Sequence, residues 1–414
     1  MAYRWVILVF GMLAYMASFF ARTSYTGIAK FIATDLGLDK SQLGLMGSVF
    51  FYAYALSQMP WGLASDKWGS RKAVTLSMFA TALTIWGFST SASFRALEIW
   101  RVLNGIAAAG VYVAMSGAIS RWFMPKERAF SNALFAAVGG TVGEGTSSVI
   151  LPYLVTRHFG WRSSTAILGG VIAVIGLMCG VALKSEPPGH QAVERKPFDW
   201  SIARNLDLWS FTAIYSGSII AIRVLVPWLA IYATDIYVSR GMPVVQAALT
   251  GGILSSFYLG GRLLGVPAAG FVSDRLLARG VTRKSIAVAF LFVTMVLLWM
   301  MPMGIASTPL LGMLAFLLGV SINMYPLITT AVSESFGAQQ TSSAMGLLNT
   351  VAQFSGAMAL SVSGYFGIAL SAKAGTPIDE YRGIWLVGIA GCIATVVLGL
   401  GIGYVARMRK PAAI

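Results

Sequence analysis

Cysteine, histidine and negative charge are all scarce in this chain of 414 residues. It has 2 cysteines, 2 histidines and 15 acidic residues against 30 basic ones. Cys179 and Cys392 sit far apart in two separate apolar runs, which excludes a disulfide framework and any metal-type spacing. His158 and His190 lie in two separate polar stretches, so no nucleophile, acid and base converge and no cofactor or metal is expected; the chain does not read as an enzyme. There is no Gly-x-x-x-x-Gly-Lys-Ser/Thr loop, which excludes a nucleotide-driven pump of that type. Charged residues make up 11% of the chain and hydrophobic ones 57%. A soluble protein of this size cannot hide so much apolar surface, so the class is integral membrane, with the lipid bilayer as its solvent.

What the chain has instead is long apolar runs. A spanning helix needs about 20 apolar residues. Twelve such segments are expected, at 5–34, 41–65, 73–92, 95–120, 128–155, 162–183, 206–236, 243–273, 285–303, 307–333, 340–370 and 383–406. The first lacks a small-residue cleavage site after a short apolar core and reads as a retained helix. Placing both termini in the cytoplasm puts 18 of the 30 basic residues on the inner side, among them Lys67, Arg71, Lys72, Arg121, Lys184, Arg279, Arg283 and Arg407. Positive residues gather on the cytoplasmic side of membrane proteins, so this bias fixes the topology and argues against nucleic acid as the reason for the net charge of +15. The expected location is the inner (plasma) membrane, and the expected state a monomer.

One charged turn occurs twice. Gly62-Leu63-Ala64-Ser65-Asp66-Lys67-Trp68-Gly69-Ser70-Arg71-Lys72 is echoed by Gly270-Phe271-Val272-Ser273-Asp274-Arg275, with Arg279-Gly280 and Arg283-Lys284 following. The longest polar stretch, Lys184 to Asp207, separates the two copies. These features divide the chain into an N-terminal six-helix bundle (1–184), a cytoplasmic linker (185–205) and a C-terminal six-helix bundle (206–414). The fold class is therefore all-α, twelve helices in two pseudo-symmetric halves. A carboxylate beside arginines at a helix end can clamp neighbouring helices in one conformation and release them in another. Asp66, Arg71, Asp274 and Arg275 are the gating candidates; the bland alternative is a topological anchor.

Four stretches carry a resemblance to a known family: Phe51-Tyr52-Ala53-Tyr54-Ala55-Leu56-Ser57-Gln58-Met59-Pro60-Trp61-Gly62; Arg101-Val102-Leu103-Asn104-Gly105; Arg121-Trp122-Phe123-Met124-Pro125-Lys126-Glu127-Arg128-Ala129; and Ser273-Asp274-Arg275-Leu276-Leu277-Ala278-Arg279-Gly280. The whole chain resembles the major facilitator superfamily, and within it most resembles the anion:cation symporter family of organic-anion transporters. That resemblance implies two six-helix bundles that rock about a central site.

Ionisable groups inside the membrane cost at least about 2.5–3.5 kcal/mol on insertion scales, so those retained there are functional candidates. They are Arg22, Arg101, Glu144, Arg223 and Arg262. Arg22 and Arg223 fall at nearly corresponding depths in the two halves, where paired guanidinium groups would bind an anion bidentately. Each could instead pair with a helix C-terminus or a buried acid. Arg262 could add a third cation or satisfy carbonyls between helices. Glu144, in Gly143-Glu144-Gly145-Thr146, is the one acid deep in a helix, and is either the proton-coupling group or a fixed partner of Arg22 or Arg101. The resemblance implies that Arg22 contacts the substrate anion and that Arg101 serves proton coupling or structure. Related members commonly carry acids where this chain has Ala21 and Ala108. On the helices that line the central cavity in that fold, Tyr25, Tyr54, Gln58, Tyr215, Tyr258, Asn323, Tyr325, Asn349 and Gln353 are the uncharged substrate-binding candidates. The leading reading is a secondary transporter of a small carboxylate or sugar acid, driven by protons or, less readily, by sodium. An organic-phosphate or anion exchanger is the alternative, against which Gln58 speaks where such exchangers tend to carry a lysine. A transporter-like sensor is a third class, and label movement across a sealed bilayer separates it from the other two.

Overall fold

The computed structural model describes the backbone of residues 3–187, 200–303, 307–322, 324–336, 338–371 and 379–408. Among the described residues all regular structure is helical: α1 (Tyr3–Leu36), α2 (Lys40–Trp68), α3 (Ser70–Ser89), α4 (Phe94–Trp122), α5 (Pro125–Leu154), α6 (Gly160–Ala182), α7 (Leu206–Ser239), α8 (Val244–Leu277), α9 (Arg283–Met300), α10 (Thr308–Ile322), α11 (Tyr325–Ser335), α12 (Ala338–Ser371) and α13 (Arg382–Met408). Among the described residues, ten helical segments are long and apolar enough to cross a membrane, α10 and α11 counting together as Thr308–Val332. The sequence led us to expect twelve. Helices α2 and α3 lie where two of these were expected but are more polar: α2 holds Pro60 and a charged end, and α3 opens on Arg71-Lys72 and carries several serines and threonines.

Local signals account for the helix boundaries. Asp39 caps α2 in a reciprocal capping box with Gln42, and Ser93 and Thr282 accept the N-terminal N–H groups of α4 and α9. Between α2 and α3 the chain reverses at Gly69, whose φ of 83° is a conformation that glycine adopts without a Cβ clash. The break between α10 and α11 falls just before Pro326, in the first turn of α11. Proline supplies no N–H to extend the α10 ladder and suits the first turn of a new helix, so one span becomes two helices.

The chain forms two compact units. The first holds α1–α6 together with residues 240–256, and the second holds 194–239 and 257–414, so the first part of α8 groups with the first unit. Residues 188–199, most of the expected linker, lie outside the described residues. Within the first unit α1 packs on α5, α2 on α4, and α3 on α4 and α6. Within the second, α7 packs on α12 and α13. Faces turned away from these contacts stay apolar: on α6 Ile167, Val171, Val174, Met178 and Val181 are all exposed, a helical stripe suited to lipid.

Glycine permits the closest helix approaches. A Cβ added at Gly319 on α10 would lie 2.0 Å from the Tyr258 carbonyl oxygen, and one at Gly261 on α8 would lie 2.0 Å from that of Phe316. No side-chain rotation relieves a clash with backbone, so these glycines set the α8–α10 separation. Gly319→Ala should therefore lower the melting temperature of detergent-purified protein, equivalent to about 1–3 kcal/mol. Gly270→Ala, where an added Cβ meets nothing within 4 Å, should melt with the wild type.

Candidate functional site

In the first unit the site is built on the α1–α5 pair. Contacts rise in step along both helices: Gly139 lies against Tyr15, Gly143 against Phe19, and Ser147 Oγ is 2.5 Å from Thr23 Oγ1. The two helices thus run parallel, and glycines on α5 bring its backbone close to α1. Arg22 lies on this stretch of α1 and is half-buried. Its guanidinium carbon is 4.6 Å from the Phe19 ring centroid, 4.8 Å from that of Phe51 and 5.3 Å from that of Tyr54. Its Nε is buried without a hydrogen-bond partner. Three aromatic faces hold this cation. Gln58, one turn beyond Tyr54 on α2, is half-buried.

Arg101 has a different environment. It is 3% exposed. Its Nε donates to the Met46 carbonyl at 3.3 Å, and its two terminal nitrogens reach the Arg22 carbonyl at 3.5 Å. Its guanidinium lies 4.6 Å from the Phe50 ring and 5.2 Å from the Tyr25 ring. Arg101 therefore ties α4 to both α2 and α1. Tyr25 belongs to the same strut: it is buried and its hydroxyl donates to the Leu43 carbonyl at 2.6 Å. Glu144 is 5% exposed, the only acid in the buried set among the described residues. It sits on α5 between Gly143, which abuts the Met16 carbonyl, and Ser147, whose hydroxyl bonds the Glu144 carbonyl at 3.0 Å. Ala21 and Ala108, where related chains commonly carry acids, are 0% and 1% exposed.

The second unit repeats this arrangement on α7 and α12. Tyr215 Oη donates to Asn349 Oδ1 at 3.5 Å, and two turns on along α7 Arg223 Nη2 donates to Gln353 Oε1 at 2.6 Å. Four residues picked from sequence thus form two rungs across one helix pair. Gly356 makes room for them, since a Cβ there would lie 2.7 Å from Arg223 Cγ. Trp228 Nε1 donates to Ser363 Oγ at 2.9 Å, a third rung further along the pair. Tyr258 and Arg262 lie apart from this row, on α8 beside its crossing with α10; Tyr258 is buried and Arg262 half-buried. Asn323 lies outside the described residues, as do the side chains of Tyr325 and Asp66.

At the repeated turn of the second unit, Asp274 pairs with Arg283 at 2.9 Å. Arg275, adjacent in sequence, instead lies 4.2 Å over the Phe271 ring. Arg283 also holds Ser273 Oγ at 2.9 Å and both Glu334 oxygens at 3.1–3.2 Å, joining the ends of α8, α9 and α11. In the first unit Arg71 donates through Nε to the Gly180 carbonyl at 2.6 Å, anchoring α3 to the end of α6. Sequence reasoning passed over Phe19, Phe51, Arg283 and Glu334 as site residues. The repeat itself held the signal for Arg283, which stands where Arg71 stands in the first copy.

The Major Facilitator Superfamily model matches residues 11–360. The chain is 27% identical over 307 residues to a probable sulfoacetate transporter of Cupriavidus necator, covering 68% of this chain and 67% of that one. It is 26% identical over 317 residues to a hexuronate transporter of Bacillus subtilis, covering 70% and 71%. Among solved structures, a bacterial homologue of the human lysosomal transporter Spinster, inward-facing and unoccupied, superposes with a TM-score of 0.78 over 99% of both chains at 17% identity, a likeness of fold.

The contacts of Arg101 give a structural prediction. Arg101→Ala removes a buried strut between three helices and leaves a cavity in its place, which should destabilise the protein by about 2–4 kcal/mol. Thermal melting in detergent checks this, with the exposed Arg157→Ala expected to melt as wild type.

Proposed function

The chain belongs to the major facilitator superfamily, and we propose that within it the protein is a secondary transporter of a small organic anion, a carboxylate or sugar acid, working by alternating access with proton symport. Family and relatives are transporters, not enzymes. The observation that carries the reading is Arg22: a half-buried cation held by rings, with a buried Nε that no acceptor takes. A guanidinium so held can give a planar acid group two parallel N–H bonds. Of the relatives named above, one is a probable sulfoacetate transporter and the other a hexuronate transporter, and both solutes are organic anions. In the second unit Arg223 is set in a row of neutral amides and hydroxyls, Gln353, Asn349 and Tyr215, chemistry that suits a carboxylated or hydroxylated solute.

The remaining roles follow from the same geometry. Glu144 carries the coupling proton, being the buried acid on the helix that packs against Arg22's helix. Arg101 supports it by fixing α1 through the Arg22 carbonyl. Asp274, Arg283 and Glu334 form a gate clamp in the second unit, and by the sequence repeat Asp66 and Arg71 hold the corresponding positions in the first. Membrane placement is the inner membrane with both termini cytoplasmic.

Reconstitution in proteoliposomes tests these assignments, with labelled sulfoacetate and D-glucuronate as probes. Arg22→Ala should cut both uptake and counterflow by about 100-fold or more, the loss of a charge-assisted bidentate contact, and unchanged transport in this variant would refute the reading. Glu144→Gln should abolish accumulation driven by an inward pH gradient while counterflow survives. Wild-type exchange that ignores the gradient and persists in Glu144→Gln would make the protein an anion exchanger instead.

A further inference from the structure

Arg22 is stabilised in an unusual way for a cation inside an apolar helix. A carboxylate beside it would neutralise the charge but would also occupy its N–H donors. An aromatic face attracts the cation through the ring quadrupole and takes none of those donors. Phe19, Phe51 and Tyr54 supply three such faces at 4.6, 4.8 and 5.3 Å. All three rings are buried, at 8%, 6% and 4% exposure, so little water competes for the cation on that side.

The rings are themselves fixed. Phe19 meets the edge of Tyr15 at 4.9 Å, and its Cβ lies against the space left by Gly143. Phe51 meets Phe50 edge-on at 5.2 Å, and Tyr54 stacks on Phe50 at 5.9 Å. Phe50 in turn lies against Arg101, and its carbonyl sits over Gly105, where a Cβ would come within 2.3 Å. Two helices, α1 and α2, thus present a rigid aromatic shell to one guanidinium.

We infer that Phe51, together with Phe19 and Tyr54, is a positioning residue for anion recognition: the neutral rings stand in for a counter-ion, hold the Arg22 guanidinium in one orientation and leave its donors for a flat acid group of the substrate. This rests on the reading of Arg22 as the anion-binding cation. It goes further in assigning affinity to three residues that need not touch the substrate. Leucine at Phe51 keeps apolar bulk and loses the π face, whereas tyrosine keeps the face.

The experiment is counterflow of labelled sulfoacetate and D-glucuronate by wild type, Phe51→Leu and Phe51→Tyr in proteoliposomes, with KM and Vmax separated. Phe51→Leu should raise KM by about tenfold with Vmax within about twofold of wild type, and Phe51→Tyr should restore the wild-type KM. A wild-type KM in Phe51→Leu, or an equal rise in both variants, overturns the inference, because simple packing would treat leucine and tyrosine by volume. Phe19→Leu and Phe19→Tyr give the same contrast should Phe51→Leu fail to fold, and equal KM values there likewise overturn it. Arg22→Ala separates the two levels. If it leaves KM unchanged, the anion-site reading falls first; if it abolishes transport while Phe51→Leu is silent, only the role of the rings falls.

Discussion

The cost of carrying positive charge into helices solvated by hydrocarbon governs the structure. Four arginines lie well inside the helices of this chain, and at mid-membrane depth each needs local compensation. Arg101 is compensated by backbone carbonyls of two other helices and by two rings, and is sealed from solvent. Arg223 donates to a neutral amide. Arg22 is enclosed by three rings. These environments sort the residues by role more sharply than their charge does. A saturated, sealed arginine is a strut. An arginine whose stabilisation leaves hydrogen-bond donors unspent keeps the capacity to bind an anion.

Close helix approach is the second condition, and it explains why both units use the same device. In the first unit Gly143 lets α5 approach α1 at Met16 and Phe19; in the second Gly356 lets α12 approach α7 at Ile219 and Arg223. The paired helices run parallel in both cases, so residues on them meet rung by rung. The duplicated charged turn seen in the sequence is thus one trace of a duplicated architecture, and these two glycine contacts are another. Residue type differs between the copies where chemistry differs: the partner helix offers a buried carboxylate, Glu144, in one unit and a carboxamide, Gln353, in the other.

The helical class and the intramembrane charges were legible because both depend on composition along the chain. The partners of those charges were harder to read. Arg275 follows Asp274 directly, which suggests a pair, but successive helical residues diverge by about 100° around the axis. Arg283, on the next helix, makes the contact. Tyr25 has the polarity of a substrate residue, yet its hydroxyl is taken by Leu43 and its ring by Arg101. The division of one expected span into α10 and α11 was written in Pro326, but hydropathy runs across the break and hides it. Phe19 and Phe51 were passed over because aromatic residues in apolar runs ordinarily signal packing; only the position of the Arg22 guanidinium shows what their faces meet.

The absent acids also bear on coupling. Ala21 and Ala108 are sealed, and Ala108 presents its carbonyl to Ser18 of α1 at 3.3 Å. A carboxylate at either position would enter a tightly packed, buried contact. The coupling acid proposed above, Glu144, stands instead on α5, the helix that packs most extensively against α1. The proton and the anion would then act on the two sides of one parallel helix pair.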